Sequence, residues 1–371
     1  MAKKLRKTLC VVVCFFLILL GNALLENNKI TLIIPKNVSA AEISAGEAVM
    51  EVSSGRMLFS CNENKKLPMA STTKILTAAI IIEDCSLDGI VEVPMEAAGT
   101  EGSSVYLKTG EKYTVRQLLY GLMLRSGNDC AVTLALYHSG SIEAFADAMN
   151  DRAKRWGAEN SNFTNPHGLP DDEHYTTAHD LAAITCHAMK NDTFREIVST
   201  KFFKEKGWQN KNKMLYSYDG ADGVKTGYTV KAGRCLVTSA KRGNMQLICV
   251  VLNSPDMYER SADLLNQAFQ KYTLQKLYSA EREFIVPTNV EGKTCILQSK
   301  KDFYYPLTTE ERVVFKYELP KLIELPVCSG ENKGKINIYH QNRLIFSENL
   351  CTIKDVDKSY ADYLKDVARN F

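Results

Sequence analysis

The sequence predicts an α/β (α+β) fold: an antiparallel sheet assembled from both ends of one domain, a helical lobe inserted between them, and a small all-β domain downstream. Three observations predict it. Residues Ile43–Leu58 alternate in period two around a Ser-Ser-Gly turn at 53–55, the middle of the chain repeats apolar residues at helical spacing, and alternating or continuous apolar runs return between Asp222 and Leu252.

The first hairpin feeds Leu67–Glu83, LPMASTTKILTAAIIIE. Pro68 cannot occupy a helix interior, and Ile75, Leu76, Ala78, Ala79, Ile80, Ile81 and Ile82 are apolar nearly all round, so a buried helix begins near Ala70. Ser71 and Lys74, three residues apart, share one face of it. A serine hydroxyl needs a base within hydrogen-bond reach to become a nucleophile, and a lysine desolvated in an apolar helix can lose its proton near neutral pH and serve. Placing the serine in the first turn adds the favourable end of the helix dipole. The same residues also fit a solvated Ser/Thr/Lys cluster capping a core helix, so the weight of the pair comes from its companions later in the chain.

Beyond Gly89, Pro94 and Gly102, Thr114 with Gln117 forms a capping-box pattern ahead of Leu118, Leu119, Leu122 and Met123. That helix ends at Ser126-Gly127-Asn128, a tight connection where glycine lets the chain turn towards a cleft. Further helices occur with Ala131, Leu134, Ala135 and Leu136, between Ser141 and Trp156, and over Leu181–Met189 behind a Thr177–Asp180 cap. Phe202–Tyr218 reads as extended and lysine-rich. Lys225-Thr226-Gly227 then leads into strands at Cys235–Ala240 and Gln246–Leu252, with Val237, Leu247, Ile248, Val250 and Val251 as sheet core, and a helix over Ser261–Tyr272 closes the domain. Past residue 277, Phe284–Pro287, Thr294–Leu297, Arg312–Leu319, Leu322–Val327 and a hairpin of Lys335–Tyr339 with Leu344–Phe346 read as the short strands of a β domain.

At 371 residues and 45% hydrophobic content the chain can form two folded units. Lys3, Lys4, Arg6 and Lys7 precede an apolar run from Leu9 to Leu20, the layout of a secretory signal. The expected organisation is a signal peptide over 1–40 with cleavage after Ala40, a first domain over 41–275, a β domain over 280–353 and a short helix over 357–371. Retention of the apolar segment as an anchor is the open alternative. Either way the protein is exported, to the outer face of the membrane, the wall or the medium. Residues 1–40 carry six basic side chains and one acidic one, so without them the formal charge falls from +3 to −2. No basic patch with interleaved aromatics remains, which argues against a nucleic-acid partner. Of eleven cysteines, Cys10 and Cys14 belong to the signal; the others lack a C-x-x-C, and Cys130, Cys186, Cys235 and Cys249 read as buried small hydrophobes. His174, His179 and His187 show neither H-E-x-x-H nor i, i+4 spacing, so no metal and no cofactor is expected.

Ser71/Lys74 is the only S-x-x-K and Ser126–Asn128 the only S-G-N, whereas K-T-G occurs twice. Lys108-Thr109-Gly110 reads as a solvated turn, and Lys225-Thr226-Gly227 has the strand context. S-x-x-K, S-x-N and a strand-borne K-T-G, in that order, form the motif set of penicillin-interacting serine enzymes. With the longer strings PMASTTK, LMLRSGND, NPHGL, YTTAHDLA and DGVKTGYT, residues 41–275 resemble the low-molecular-mass penicillin-binding proteins that are serine-type D-alanyl-D-alanine carboxypeptidases. Sporulation-associated members are the most similar in character, and the downstream β module is similar to the C-terminal domain that many members carry.

The resemblance implies a serine β-lactamase/transpeptidase-like fold and a set of roles. Ser71 would attack the penultimate D-Ala carbonyl and form an acyl-enzyme, with Lys74 as base. Ser126 would relay a proton to the departing D-Ala nitrogen, and Asn128 would hold the amide of the acyl part. Lys225 and Thr226 would supply a cation and a hydroxyl for the terminal carboxylate, with Gly227 and Tyr228 in the same substrate-binding stretch, and the N–H groups of Ser71 and Tyr228 would form an oxyanion hole, since a strand edge facing a helix N-terminus can aim two donors at one point. Arg260 corresponds to a family arginine that assists carboxylate binding. The implied partners are peptidoglycan stem peptides ending in D-Ala-D-Ala and the β-lactams that mimic them. Two other readings stay open. One is a β-lactam or peptidoglycan receptor that acylates and remains acylated. The other, a class A β-lactamase, is disfavoured because no E-x-x-L-N lies between S-x-N and K-T-G. Finally, Tyr360, Tyr363, Leu364, Val367 and Phe371 fall on one helical face, similar to an amphipathic anchor, which implies a peripheral membrane association.

Overall fold

The computed structural model describes residues 44–369, and a two-rung ribbon pairing Leu25–Glu26 with Lys29–Ile30. The basic and apolar start of the signal segment, its cleavage site after Ala40 and Phe371 lie outside the described residues.

The main sheet has five antiparallel strands: β1 (Gly46–Glu51), β2 (Met57–Cys61), β3 (Ala221–Thr229), β4 (Gly233–Arg242) and β5 (Met245–Leu252), in the order β2-β1-β5-β4-β3. Strands from the two ends of the sequence thus meet where β1 pairs with β5, as the periodicity predicts. Both faces are covered, which is why β5 reads as one apolar run rather than alternating. Its Leu247, Cys249 and Val251 pack with Leu264, Leu265 and Ala268 of α7 (Met257–Lys271), while Ile248, Val250 and Leu252 join the helical lobe on the other face.

That lobe contains α1 (Lys74–Asp84), α2 (Val115–Tyr120), α3 (Asn128–Ser139), α4 (Ile142–Arg155), α5 (Ala178–Ala188) and α6 (Asp192–Ser199). The central helix is α1. Its Ile75, Leu76, Ile80 and Ile81 are buried, each contributing about 1.5–3 kcal/mol by leaving water. A 3-10 turn, Ala70–Thr73, precedes it, so the helical geometry starts where Pro68 allows. Thr114 and Gln117 close the expected capping box on α2, and Thr177 caps α5 by accepting from Asp180 N. Lys108–Gly110 is an exposed turn. Cys130, Cys186, Cys235 and Cys249 are buried free thiols.

Phe202–Tyr218 departs from the extended reading. Only Phe202–Phe203 and Trp208–Gln209 pair, and Met214–Ser217 forms one helical turn. Buried Asn210 and Asn212 capture the amides of Asn212 and Met214, turning the chain where its composition suggests a strand. Helix α7 starts four residues before the expected Ser261, because Glu259 and Arg260 in its first turn hide the apolar period.

Beyond α7, β6 (Thr273–Tyr278) pairs with β9 (Phe303–Leu307). A second antiparallel sheet contains β7 (Phe284–Pro287), β8 (Thr294–Gln298), β10 (Val313–Glu318), β11 (Asn332–His340) and β12 (Arg343–Thr352) in the order β7-β8-β12-β11-β10. Its own core gathers Tyr278, Val286, Cys295, Leu297, Ile336, Ile338 and Leu350. Leu322–Val327 makes single rungs at Ile323 and Val327 instead of a strand, since Pro326 cannot donate to a ladder.

One side chain ties the two sheets together. Arg56, in the turn after β1, donates to both carboxylate oxygens of Glu311 and to Pro306 O, and lies 5.2 and 5.0 Å from the ring centroids of Tyr272 and Tyr305. Burial pushes Glu311 up, but its bonds to Arg56 and to Thr308 N hold it at about 2. The two side chains are 11% and 16% exposed, so removing one strands the other's charge. Arg56→Ala is expected to cost about 3 kcal/mol of unfolding free energy, measured by urea titration.

Candidate active site

Three segments distant in sequence converge on one cleft. The first is the turn that carries Ser71, whose neighbour Ala70 is held at φ 49°, a left-handed conformation that a non-glycine residue adopts at some cost. Lys74, the first residue of α1, is fully buried one turn on. Its Nζ lies 3.0 Å from Ser71 Oγ, 2.7 Å from Asn128 Oδ1 and 2.6 Å from His167 O. The last two atoms can only accept, and the Asn128 amide is fixed in this orientation because its Nδ2 donates to Glu101 O at 2.6 Å. When the amine is neutral, its two N–H bonds suit Asn128 and His167, which leaves its lone pair for the Ser71 hydroxyl. Burial first, and then the positive charge of Lys225, hold Lys74 well below the ordinary lysine value.

His167 contributes its carbonyl to Lys74 and its ring to the loop. Nδ1 accepts from Leu169 N, and burial with the nearby Lys74 lowers the ring to about 3, so it stays neutral. Gly168, at φ 89°, lets this loop lie on the Ser71 turn; a Cβ there would sit 1.9 Å from Ala70 O.

The second segment joins α2 to α3. Gly121–Arg125 widens into a π turn that ends with Ser126 at φ 66°, and Asn128 opens α3. Asp129, fully buried, accepts from Ser104 Oγ and from the amides of Val105 and Leu107, while Asn128 N donates to Ser103 O. This clamp fixes the wall of the cleft beside Ser126. Sequence reading missed it, because an aspartate after S-G-N looks like any helix-start acid.

The third segment is β3, the edge strand of the main sheet, lying along the Ser71 turn. A Cβ on Gly227 would come 2.9 Å from Met69 O and 3.1 Å from both Ser71 N and Thr72 N. The register Tyr228↔Arg234 and Thr226↔Leu236 puts Thr226, Tyr228 and Arg234 on one face of the sheet, and Lys225 and Gly227 on the other. Lys225 is buried, donates to Thr226 O at 2.8 Å, and is lowered by burial and then by Lys211 to about 7.

The resulting cleft, about 380 Å³, is lined by Ser71, Ser103, Ser126, Lys211, Thr226, Gly227, Tyr228, Arg234, Met257 and Tyr258. Arg260, expected there, is elsewhere. Its guanidinium donates through Nε and Nη2 to the buried carboxylate of Glu47 on β1, at 2.7 and 2.6 Å. The arginine in the cleft is Arg234, and the sequence does hold a signal for it: a hairpin as tight as Thr229–Gly233 sets it opposite Tyr228.

A buried amine aimed at a serine hydroxyl, a strand edge against the turn that carries that serine, and a cationic wall define a serine acyl-transfer enzyme of transpeptidase-like fold. The family model described as D-alanyl-D-alanine carboxypeptidase matches residues 34–256. The chain belongs to that family. It is 31% identical over 352 residues to the D-alanyl-D-alanine carboxypeptidase DacF of Bacillus subtilis, covering 89% of this chain and 90% of the relative. It is 36% identical over 253 residues to the D-alanyl-D-alanine carboxypeptidase of Streptomyces sp. strain K15, covering 61% of this chain and 87% of that one. Among solved structures, penicillin binding protein 5 from Haemophilus influenzae superposes with a TM-score of 0.72 at 28% identity, over 85% of this chain and 98% of the other.

Proposed function

We infer that this serine-type carboxypeptidase removes the terminal D-alanine of peptidoglycan stem peptides, and that the residues of the cleft divide the chemistry among them. Ser71 Oγ attacks the penultimate D-Ala carbonyl as its proton passes to Lys74. Charge on the tetrahedral oxygen is met by the amides of Ser71 and Tyr228. The Lys74 proton reaches the leaving D-Ala nitrogen by way of Ser126 as the C–N bond breaks, and water then hydrolyses the ester. Asn128 positions the acyl amide, and Lys225 supports the carboxylate site from beneath Thr226. A β-lactam undergoes the first step and leaves its opened ring on Ser71.

The observation that carries this reading is the buried Lys74 amine lying within hydrogen-bond distance, 3.0 Å, of Ser71 Oγ. Incubating the purified protein with a diacyl tripeptide ending in D-Ala-D-Ala is expected to release free D-Ala catalytically. Stoichiometric penicillin acylation without any D-Ala release would instead identify a receptor.

The catalytic portion is proposed to span 41–275 and the β module 280–353, a division supported by their separate hydrophobic cores. Export to the extracytoplasmic side is supported by the charged-then-apolar start of the sequence. Among the described residues no helix is long and apolar enough to cross a membrane. The last helix, α8 (Tyr360–Arg369), exposes Tyr360, Tyr363, Leu364 and Val367 at i, i+3, i+4 and i+7, which suits lying on a bilayer surface. Lys293 holds its start by donating to Asp362 and to Asp357 O. Deleting residues 357–371 is expected to reduce binding to anionic lipid vesicles at least tenfold, about 1.4 kcal/mol, as measured by co-sedimentation.

A further inference from the structure

We propose that the cavity between the main sheet and the β module binds a phosphate ester, at a site separate from the Ser71 cleft. The cavity holds about 540 Å³, more than the 380 Å³ around Ser71 and within the ~300–1,000 Å³ of small-molecule clefts. One wall is formed by residues 54–56, in the turn joining β1 to β2, and by His179 of α5. The other is the tip of the β11–β12 hairpin, where Gln341 and Asn342, at φ 49° and 64°, turn the chain between the paired His340 and Arg343.

Among the described residues no carboxylate lines this cavity. The nearby acids are engaged elsewhere: Glu51 accepts from the amides and hydroxyls of Ser53 and Ser54, Glu311 holds Arg56, and Asp180 accepts from Asn160 N and Ser161 Oγ. Arg343 is exposed and makes no hydrogen bond or ion pair among the described residues, so its charge has no counter-ion. Burial raises the Tyr305 phenol, and Arg56 and Arg343, one from each wall, act against that rise, which places two guanidinium groups near one ring on the cavity lining. The bond from its Nδ1 to Asp180 raises His179. His340, only 7% exposed, has Nε2 at 3.2 Å from Glu311 Oε1 yet out of line for a hydrogen bond, a buried polar atom left unpartnered. Cations on both walls with no lining acid favour an anion between them. Donors arriving from several directions suit the tetrahedral oxygens of a phosphate, which guanidinium forks bind well, and the remaining volume takes the alcohol part of an ester. A lipid headgroup and a free glycerol phosphate carry the same chemistry.

The test is calorimetric titration of the full chain with sn-glycerol 3-phosphate, at an ionic strength fixed with chloride. Wild type is expected to bind one equivalent. Arg343→Gln and His179→Gln, one from each wall, are each expected to weaken binding about tenfold, the loss of one charge-assisted bond. Arg343→Lys, which keeps a point charge, is expected to stay within about threefold of wild type. Arg343 has no partner to lose, so the urea midpoint of Arg343→Gln without ligand is expected to match wild type. Co-sedimentation with phosphatidylglycerol vesicles separates the sources. Weaker vesicle binding by Arg343→Gln assigns the site to a headgroup, and unchanged vesicle binding beside weakened glycerol phosphate binding assigns it to a free ester. No binding of glycerol phosphate by wild type, or equal affinity in wild type and both glutamine variants, overturns the proposal. So does a loss confined to Arg343→Gln, which would put the anion on the hairpin alone.

Discussion

Lys74→Ala is expected to lower acylation of Ser71 by about 10³-fold, measured as the rate of penicillin adduct formation. The loss comes from removing the amine bonded to the serine hydroxyl, which then has no acceptor for its proton. Lys74→Arg is expected to fare no better, although it keeps length and charge, because a guanidinium stays protonated throughout the accessible range and has no lone pair to offer. The pH dependence has a definite sign. A base whose pKa is lowered is active above that value, so acylation falls as pH falls through the Lys74 pKa. Lys225, itself at about 7, adds repulsion that disfavours protonated Lys74 wherever it is charged. Lys225→Met removes that repulsion and is expected to move the acidic limb of the acylation profile to higher pH. A limb that stays in place would assign the perturbation to burial alone.

Gly227→Val is expected to lower kcat/KM by roughly 10²–10³-fold. Close contact is the reason. Even a bare Cβ at this position meets Met69 O, Ser71 N and Thr72 N at 2.9 to 3.1 Å, and these are backbone atoms that cannot rotate away. Strand and turn must separate, and the amides of Ser71 and Tyr228, proposed to share one oxyanion, move apart. Gly227→Ala, with no atoms beyond Cβ, is expected to lose less than the valine variant in a D-Ala release assay.

Much of the site is legible in the sequence because its chemistry is local. Ser71 and Lys74 are one helical turn apart, so their contact depends on little beyond a helix starting after Pro68. The Thr114/Gln117 box and the Thr177 cap are likewise local pairs, and they mark their helices correctly. What the sequence hides is long-range. Arg260 is taken up by Glu47, more than two hundred positions earlier, a pairing that no local pattern announces. The Asp129 clamp depends on three donors from a loop whose conformation no periodicity encodes. In the β module, β6 comes directly after α7 without a turn signal and β9 contains Pro306, so neither shows the bounded alternation that marks strands such as β11 and β12.

The arrangement also separates stability from chemistry. Burying Lys74 and Lys225 against their preference for water costs free energy that the surrounding apolar core must offset, and the same burial lowers both amines, as the base role proposed for Lys74 requires. Left-handed Ala70 and Ser126 sit next to, or carry, the reacting groups, where packing against Gly168 and the Asp129 clamp holds them.

The most direct measurement is peptide mapping after brief exposure to penicillin, with wild type and Ser71→Ala side by side. The geometry predicts one intact-penicillin adduct, on the tryptic peptide that contains Ser71, and none on the alanine variant. An adduct that persists in Ser71→Ala, or that maps to any other nucleophile, would contradict it.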